Sequence, residues 1–126
     1  GITATPPHPE IHKTALGAEE SVEWEYFKDT CDAVRRLHDE GFTVLAVEQC
    51  EGSTLLPSPL FPAEGGQHRY AVVLGNEVHG VQQEVIDMCD GCLEIPQYGT
   101  KHSLNVSVTA GIIIWEMARH YAGSDI

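Results

Sequence analysis

Residues 70 to 116 read YAVVLGNEVHGVQQEVIDMCDGCLEIPQYGTKHSLNVSVTAGIIIWE, and their order decides the fold. Tyr70 to Leu74 is an apolar run of strand length that stops at Gly75. Val81 to Cys89 spaces Val81, Val85 and Met88 for the inward side of a short helix, with Gly91 as its stop. Cys92 to Ile95 is a second strand, closed by Pro96. From Leu104 to about Tyr121 the chain is apolar on nearly every side; periodicity does not separate helix from strand there, and length favours helix. Strand, helix, strand, helix in succession predicts an α/β fold, a parallel sheet with right-handed crossovers flanked by helices.

Working outward, Thr30 to Glu40 reads as an amphipathic helix. Cys31, Val34 and Leu37 face the core, Arg35 and Arg36 face out, and Gly41 ends it. Thr43-Val44-Leu45-Ala46-Val47 follows, a β-branched apolar run typical of a strand buried on both faces. Glu51 to Gly66 holds Pro57, Pro59, Pro62, Gly52, Gly65 and Gly66 and is expected to be a long irregular loop. Gly1 to Ala4 reads as the end of a strand, broken by Thr5-Pro6-Pro7. His8 and His12 are four apart, but Pro9 between them argues against a helix. With no acidic or cysteine ligand in register, they read as a solvent-facing pair.

At 126 residues and 13.8 kDa the sequence fits one domain, residues 1–126. It has no apolar run long enough to span a bilayer and no signal peptide, so a cytoplasmic location is expected. Cys89-Asp90-Gly91-Cys92 has the spacing of zinc and dithiol sites. A second close pair is missing, and Cys89 closes a helix where a reactive thiol would open one, so thiols of a reducing compartment and no metal are expected for Cys31, Cys50, Cys89 and Cys92. Lys plus Arg total 7 against 19 Asp plus Glu, a net charge of -12. Nucleic-acid affinity rests on cations at phosphates, so an RNA role requires a further subunit or segment, or a local strip around Lys101 and Arg119.

Three stretches leave regular elements together: Leu74-Gly75-Asn76-Glu77 running to Gly80, Glu94-Ile95-Pro96, and Ser103-Leu104-Asn105. In an open α/β sheet ligands sit where strands give way to loops, so these form the expected floor of one pocket. Gly75 and Gly80 are five apart, yet Val81-Gln82 stands where a phosphate loop has Lys then Ser or Thr, and G-x-G-x-x-G is absent. What remains is a turn whose exposed backbone can approach a ligand closely.

GNEVHGV, a short helix, then EIPQYGTKHSLNVSVTAGI resembles motifs 2 and 3 of the SpoU group of SPOUT RNA 2′-O-ribose methyltransferases. Weaker similarity runs through GITATPPHPEIHKTALGAEESVEWE and TVLAVEQCEGS. The resemblance implies a C-terminal trefoil knot, a homodimer formed through the knot helices, S-adenosylmethionine as cofactor and tRNA or rRNA as partner. It places Gly75, Ile95 and Leu104 on the cofactor through backbone hydrogen bonds, Gly80 and Pro96 around its pocket, and Glu48 and Gln49 along its edge.

In-line methyl transfer requires the ribose hydroxyl to be aimed and to lose its proton. The resemblance offers Glu77, Ser103 and Asn105 as catalytic candidates. Asn105 would orient reacting groups, Ser103 would cap the last helix and touch substrate, and Glu77 would organise the site. The family's first motif, with its Asn and catalytic Arg, has no counterpart, which implies truncation at the N-terminus and an inactive fragment. The alternatives are a non-catalytic adenosyl-ligand or RNA-binding module of the same fold, and a redox or zinc protein centred on Cys89 and Cys92.

Overall fold

In the computed structural model, four parallel strands form one sheet in the order β2-β4-β1-β3. They are β1 (Thr43–Val47), β2 (Thr54–Leu55), β3 (Tyr70–Leu74) and β4 (Gly91–Glu94). The helices are α1 (Pro9–Ala15), α2 (Thr30–Asp39), α3 (Gln83–Met88) and α4 (Val106–Ala122), with a 3₁₀ turn at Ala18–Glu20. The structure describes residues 1, 3–48, 54–55, 69–76, 79–95 and 105–122.

The alternation of side chains along a strand builds three layers. On one face, Val44 joins Cys31 and Val34 of α2 and Val81 and Val85 at α3, with Ala71 and Val73 of β3 packed against them. On the other, Leu45 and Leu93 enclose Ile113 of α4, flanked by Val47, Val72, Ile95 and Met117. Val44, Leu45 and Ala46 are all buried, as the unbroken apolar run requires of a central strand covered on both sides. Each strand's sequence neighbour lies elsewhere in the sheet, so every connection crosses over.

Helix ends follow local chemistry. Asp29 caps α2 by accepting from the Cys31 N–H at 2.9 Å, and Gly41, at φ 87°, turns the chain back toward β1. Pro9 opens α1 rather than preventing it, because an N–H at the first helical position would have no acceptor within the helix and proline's fixed φ suits it. His12 of that helix meets Glu19 at 2.6 Å, which holds the Glu19 carboxyl below its ordinary range.

Several sequence expectations change. Gly91 is the first residue of β4, paired with Leu45, and does not stop α3. Cys89 is already extended, so the helix ends without a left-handed residue. Thr54–Leu55 forms a strand on β4 inside the stretch expected to be irregular. Gly1 and residues 3–5 lie in no strand; the Gly1 ammonium donates to the Phe27 carbonyl. Cys31 and Cys89 are free, but Cys92 is disulfide-bonded, which corrects the expectation of thiols throughout. Burial raises the pKa of both free thiols.

Candidate functional site at the carboxyl edge of the sheet

Parallel pairing puts the carboxyl ends of three strands side by side. Val47 of β1 is level with Leu74 of β3 and with Leu93 of β4. The residues that follow, Glu48, Gly75 and Glu94-Ile95, therefore line one edge of the sheet. Of the three stretches expected to meet, the register of the ladder brings together those at Gly75 and at Glu94-Ile95; Ser103 and Leu104 of the third lie outside the described residues.

The loop leaving β3 is closed on itself. The Gly80 N–H donates to the Asn76 carbonyl at 2.8 Å, and Asn76 and Gly80 form an antiparallel bridge. The Asn76 carboxamide oxygen accepts from the His79 N–H at 3.2 Å. Gly80 sits at φ 67°, a conformation in which a Cβ would crowd the preceding carbonyl. A Cβ on Gly75 would lie 2.3 Å from the Gly80 carbonyl carbon and 2.4 Å from the Val81 nitrogen. Gly75 is thus required by the loop's own backbone, whereas the sequence reading attributed it to space for a ligand.

Glu48 continues β1 by donating its N–H to the Leu93 carbonyl at 3.0 Å. Its Oε2 accepts from the Val81 N–H at 3.0 Å. This side chain, expected along the edge of a cofactor, ties the end of β1 to the end of the glycine loop. Spacing gives no sign of this bond, since Glu48 and Val81 are 33 residues apart.

Asn105 precedes α4 and caps it, its side-chain oxygen accepting from the Ser107 N–H at 2.8 Å. That is the role the sequence reading gave Ser103. Ile95 is half-buried against the α4 side of the core. Of the remaining candidates, Gln49, Glu77, Pro96, Ser103 and Leu104 lie outside the described residues, as does Lys101.

The described arginines of the helices are already engaged by carboxylates. Arg35 meets Asp32 at 2.6 Å, Arg36 meets Glu25 at 2.7 Å, and Arg119 meets Glu116 at 3.4 Å. Arg119 is therefore not an unopposed cation for a basic strip. No group of three or more His, Cys, Asp or Glu among the described residues is placed to hold a metal, and no described helix is long and apolar enough to cross a membrane.

Residues 2–115 match the model of the SpoU rRNA Methylase family. The chain is 33% identical over 111 residues to a tRNA (guanosine(18)-2′-O)-methyltransferase of Thermus thermophilus, covering 88% of this chain and 55% of that protein. It is 30% identical over 119 residues to the 23S rRNA (guanosine-2′-O-)-methyltransferase RlmB of Neisseria meningitidis, covering 94% and 43%. Among solved structures, an AdoMet-bound rRNA methyltransferase from Sinorhizobium meliloti superposes with a TM-score of 0.80 at 25% identity, over 95% of this chain and 44% of that one. The chain spans about half the length of these relatives.

Proposed function

Since the chain belongs to the SpoU rRNA Methylase family, we propose that it is the cofactor-binding part of an enzyme that methylates a ribose 2′-OH of tRNA or rRNA, with S-adenosylmethionine as donor. The observation that carries this reading is the convergence of Glu48, Gly75 and Ile95 at one edge of the sheet beside a loop closed at Gly80. The relatives support it: a tRNA enzyme, an rRNA enzyme and an AdoMet-bound structure.

The residues suit such a cofactor. The edge offers backbone N–H and C=O groups and a half-buried apolar side chain at Ile95, which suits an uncharged heterocycle. Gly75, Ile95 and Leu104 would hold the cofactor through their backbones, and Gly80, Pro96 and Gln49 would shape the pocket. When bound, S-adenosylmethionine supplies an electrophilic methyl group. Asn105 would orient the ribose through its amide N–H donors, which the helix cap does not use. Ser103 would contact substrate, and Glu77 would organise the loop by hydrogen bonds.

We further propose a homodimer in a cytoplasmic setting, with α4 as the contact and the chain threaded as the family's C-terminal trefoil knot. Val108, Ile112 and Trp115 share one exposed stripe of α4, opposite Ile113 and Met117 in the core. Trp115 is left exposed as an anchor for such a contact, whereas Met117 is spent on the core.

The test is calorimetry of the chain with S-adenosylhomocysteine, followed by incubation with labelled S-adenosylmethionine and total tRNA and rRNA and mapping of 2′-O-methyl positions. Absence of adenosyl-ligand binding overturns the assignment. Binding without ribose methylation by the chain or any longer form that contains it favours the non-catalytic module. Sedimentation giving only monomer at micromolar concentration overturns the dimer.

A further inference from the structure

We infer that Glu48 is a positioning residue for the glycine loop: its carboxylate fixes the Val81 amide, and through it the Gly75 to Gly80 turn, in the shape the cofactor meets. The inference rests on the cofactor reading above and gives Glu48 a role different from ligand contact. Three features carry it. Glu48 is held from behind, because its own N–H is bonded to Leu93 in the neighbouring strand. Its Oε2 reaches across from β1 to the residue that ends the loop, at 3.0 Å. Gly80 is packed against the same carboxylate, since a Cβ there would lie 2.6 Å from Oε2.

The loop is therefore pinned at both ends. Gly75 continues β3 directly, and Val81 is fixed twice, by its buried side chain in the core cluster and by its amide on Glu48. A carboxylate accepting a backbone N–H makes a stronger bond than a neutral acceptor does, and an acceptor rooted in a central strand loses little freedom in making it. The internal bonds of the turn, between Asn76, His79 and Gly80, set its curvature. They do not set its height above the sheet. The Glu48 bond does, because it refers the loop to β1, the strand between β3 and β4.

A positioning role and a contact role respond differently to conservative change. Glu48→Gln keeps a side-chain oxygen at the same reach and removes the charge; Glu48→Ala removes the acceptor. Calorimetry with S-adenosylhomocysteine and S-adenosylmethionine, alongside amide hydrogen exchange at Val81, separates them. Glu48→Ala is expected to weaken both ligands on the order of ten-fold, and to speed Val81 exchange with or without ligand. Glu48→Gln should stay within about three-fold of the unsubstituted chain for both ligands and keep Val81 protected.

A Gln variant that loses S-adenosylmethionine selectively while Val81 stays protected would show that the charge acts on the ligand and overturn the inference. So would an Ala variant with unchanged affinity and unchanged exchange. If the unsubstituted chain binds neither ligand, the cofactor reading fails. The clamp on the loop is then judged by Val81 exchange alone, where equal protection in the Ala variant overturns it.

Discussion

Two carboxylates stand at opposite ends of β1, and each takes a backbone N–H from another part of the chain. At the carboxyl end, Glu48 accepts from Val81 beside the candidate site. At the amino end, Asp90 accepts from Val44 at 2.7 Å, donates its own N–H to the Val44 carbonyl at 2.7 Å and pairs with His38 at 2.9 Å. The bonds are chemically alike, but their consequences differ because of the edge they occupy. Asp90 extends the β1–β4 ladder by one step and ties α2 to it, so it secures the fold. Glu48 ties the sheet to the far end of a loop that the ladder holds only at Gly75, at the edge where ligands of open α/β sheets sit. In a parallel sheet, position along the strand decides whether such a bond secures the ladder or shapes a loop at the candidate site.

The comparison is broken most severely at Gly75. Gly75→Val is expected to reduce adenosyl-ligand affinity at least about 100-fold, because the side chain meets the Gly80 backbone and the loop must open. Retained affinity by calorimetry would remove the loop from the site. A smaller effect is expected at Gly80. Gly80→Ala places a Cβ in a left-handed residue and against the Glu48 carboxylate, at a cost of about 1–2 kcal/mol. The flexible carboxylate can swing aside, so affinity should fall about ten-fold with the fold intact by circular dichroism.

At the other end the signature should reverse. Asp90→Ala is expected to lower unfolding free energy by about 1 kcal/mol, a figure reduced for the solvent exposure of the side chain, with ligand affinity unchanged. Denaturant titration and calorimetry on one preparation would check both halves. Loss of affinity in this variant would show that the two edges are coupled and remove the distinction drawn above.

The smallest effect is one of pH. The Val44 N–H, more than His38, holds the Asp90 carboxyl below its ordinary range. A carboxyl lowered on folding adds stability that is complete above its unfolded pKa and lost as pH falls through the lower folded value. The difference in stability between the unsubstituted chain and Asp90→Asn should therefore shrink as pH drops below about 4, and a difference independent of pH would contradict the assignment.

How much of this was legible beforehand depended on whether the information was local. The apolar run Thr43–Val47 gave a buried central strand, and the spacing of Cys31 and Val34 gave the buried side of α2, because one face of each element must be dry. Gly75 and Gly80 stood out as turn glycines. Their reason did not: the clash that requires Gly75 lies with a residue five positions on and exists only once the loop has closed. Gly91 misled for the same cause. After a helix it reads as a stop, but Cys89 had already left the helical region, and Leu45 supplied a strand partner.

By itself, the sequence determined α2, β1, β3, α3, β4 and α4, though not α1 or β2, and the family to which the chain belongs, because periodicity and ordered motifs are carried by neighbouring residues. Tertiary structure alone decided that β4 lies between β1 and β2, that Asn105 caps α4, and that Glu48 and Asp90 clamp opposite ends of one strand. Glu48 and Val81 are 33 residues apart and Val44 and Asp90 are 46 apart. Composition carries no trace of such pairs. They arise when hydrogen-bonded register in a parallel sheet brings remote backbone amides within reach of a carboxylate, and burial then leaves those amides few other partners.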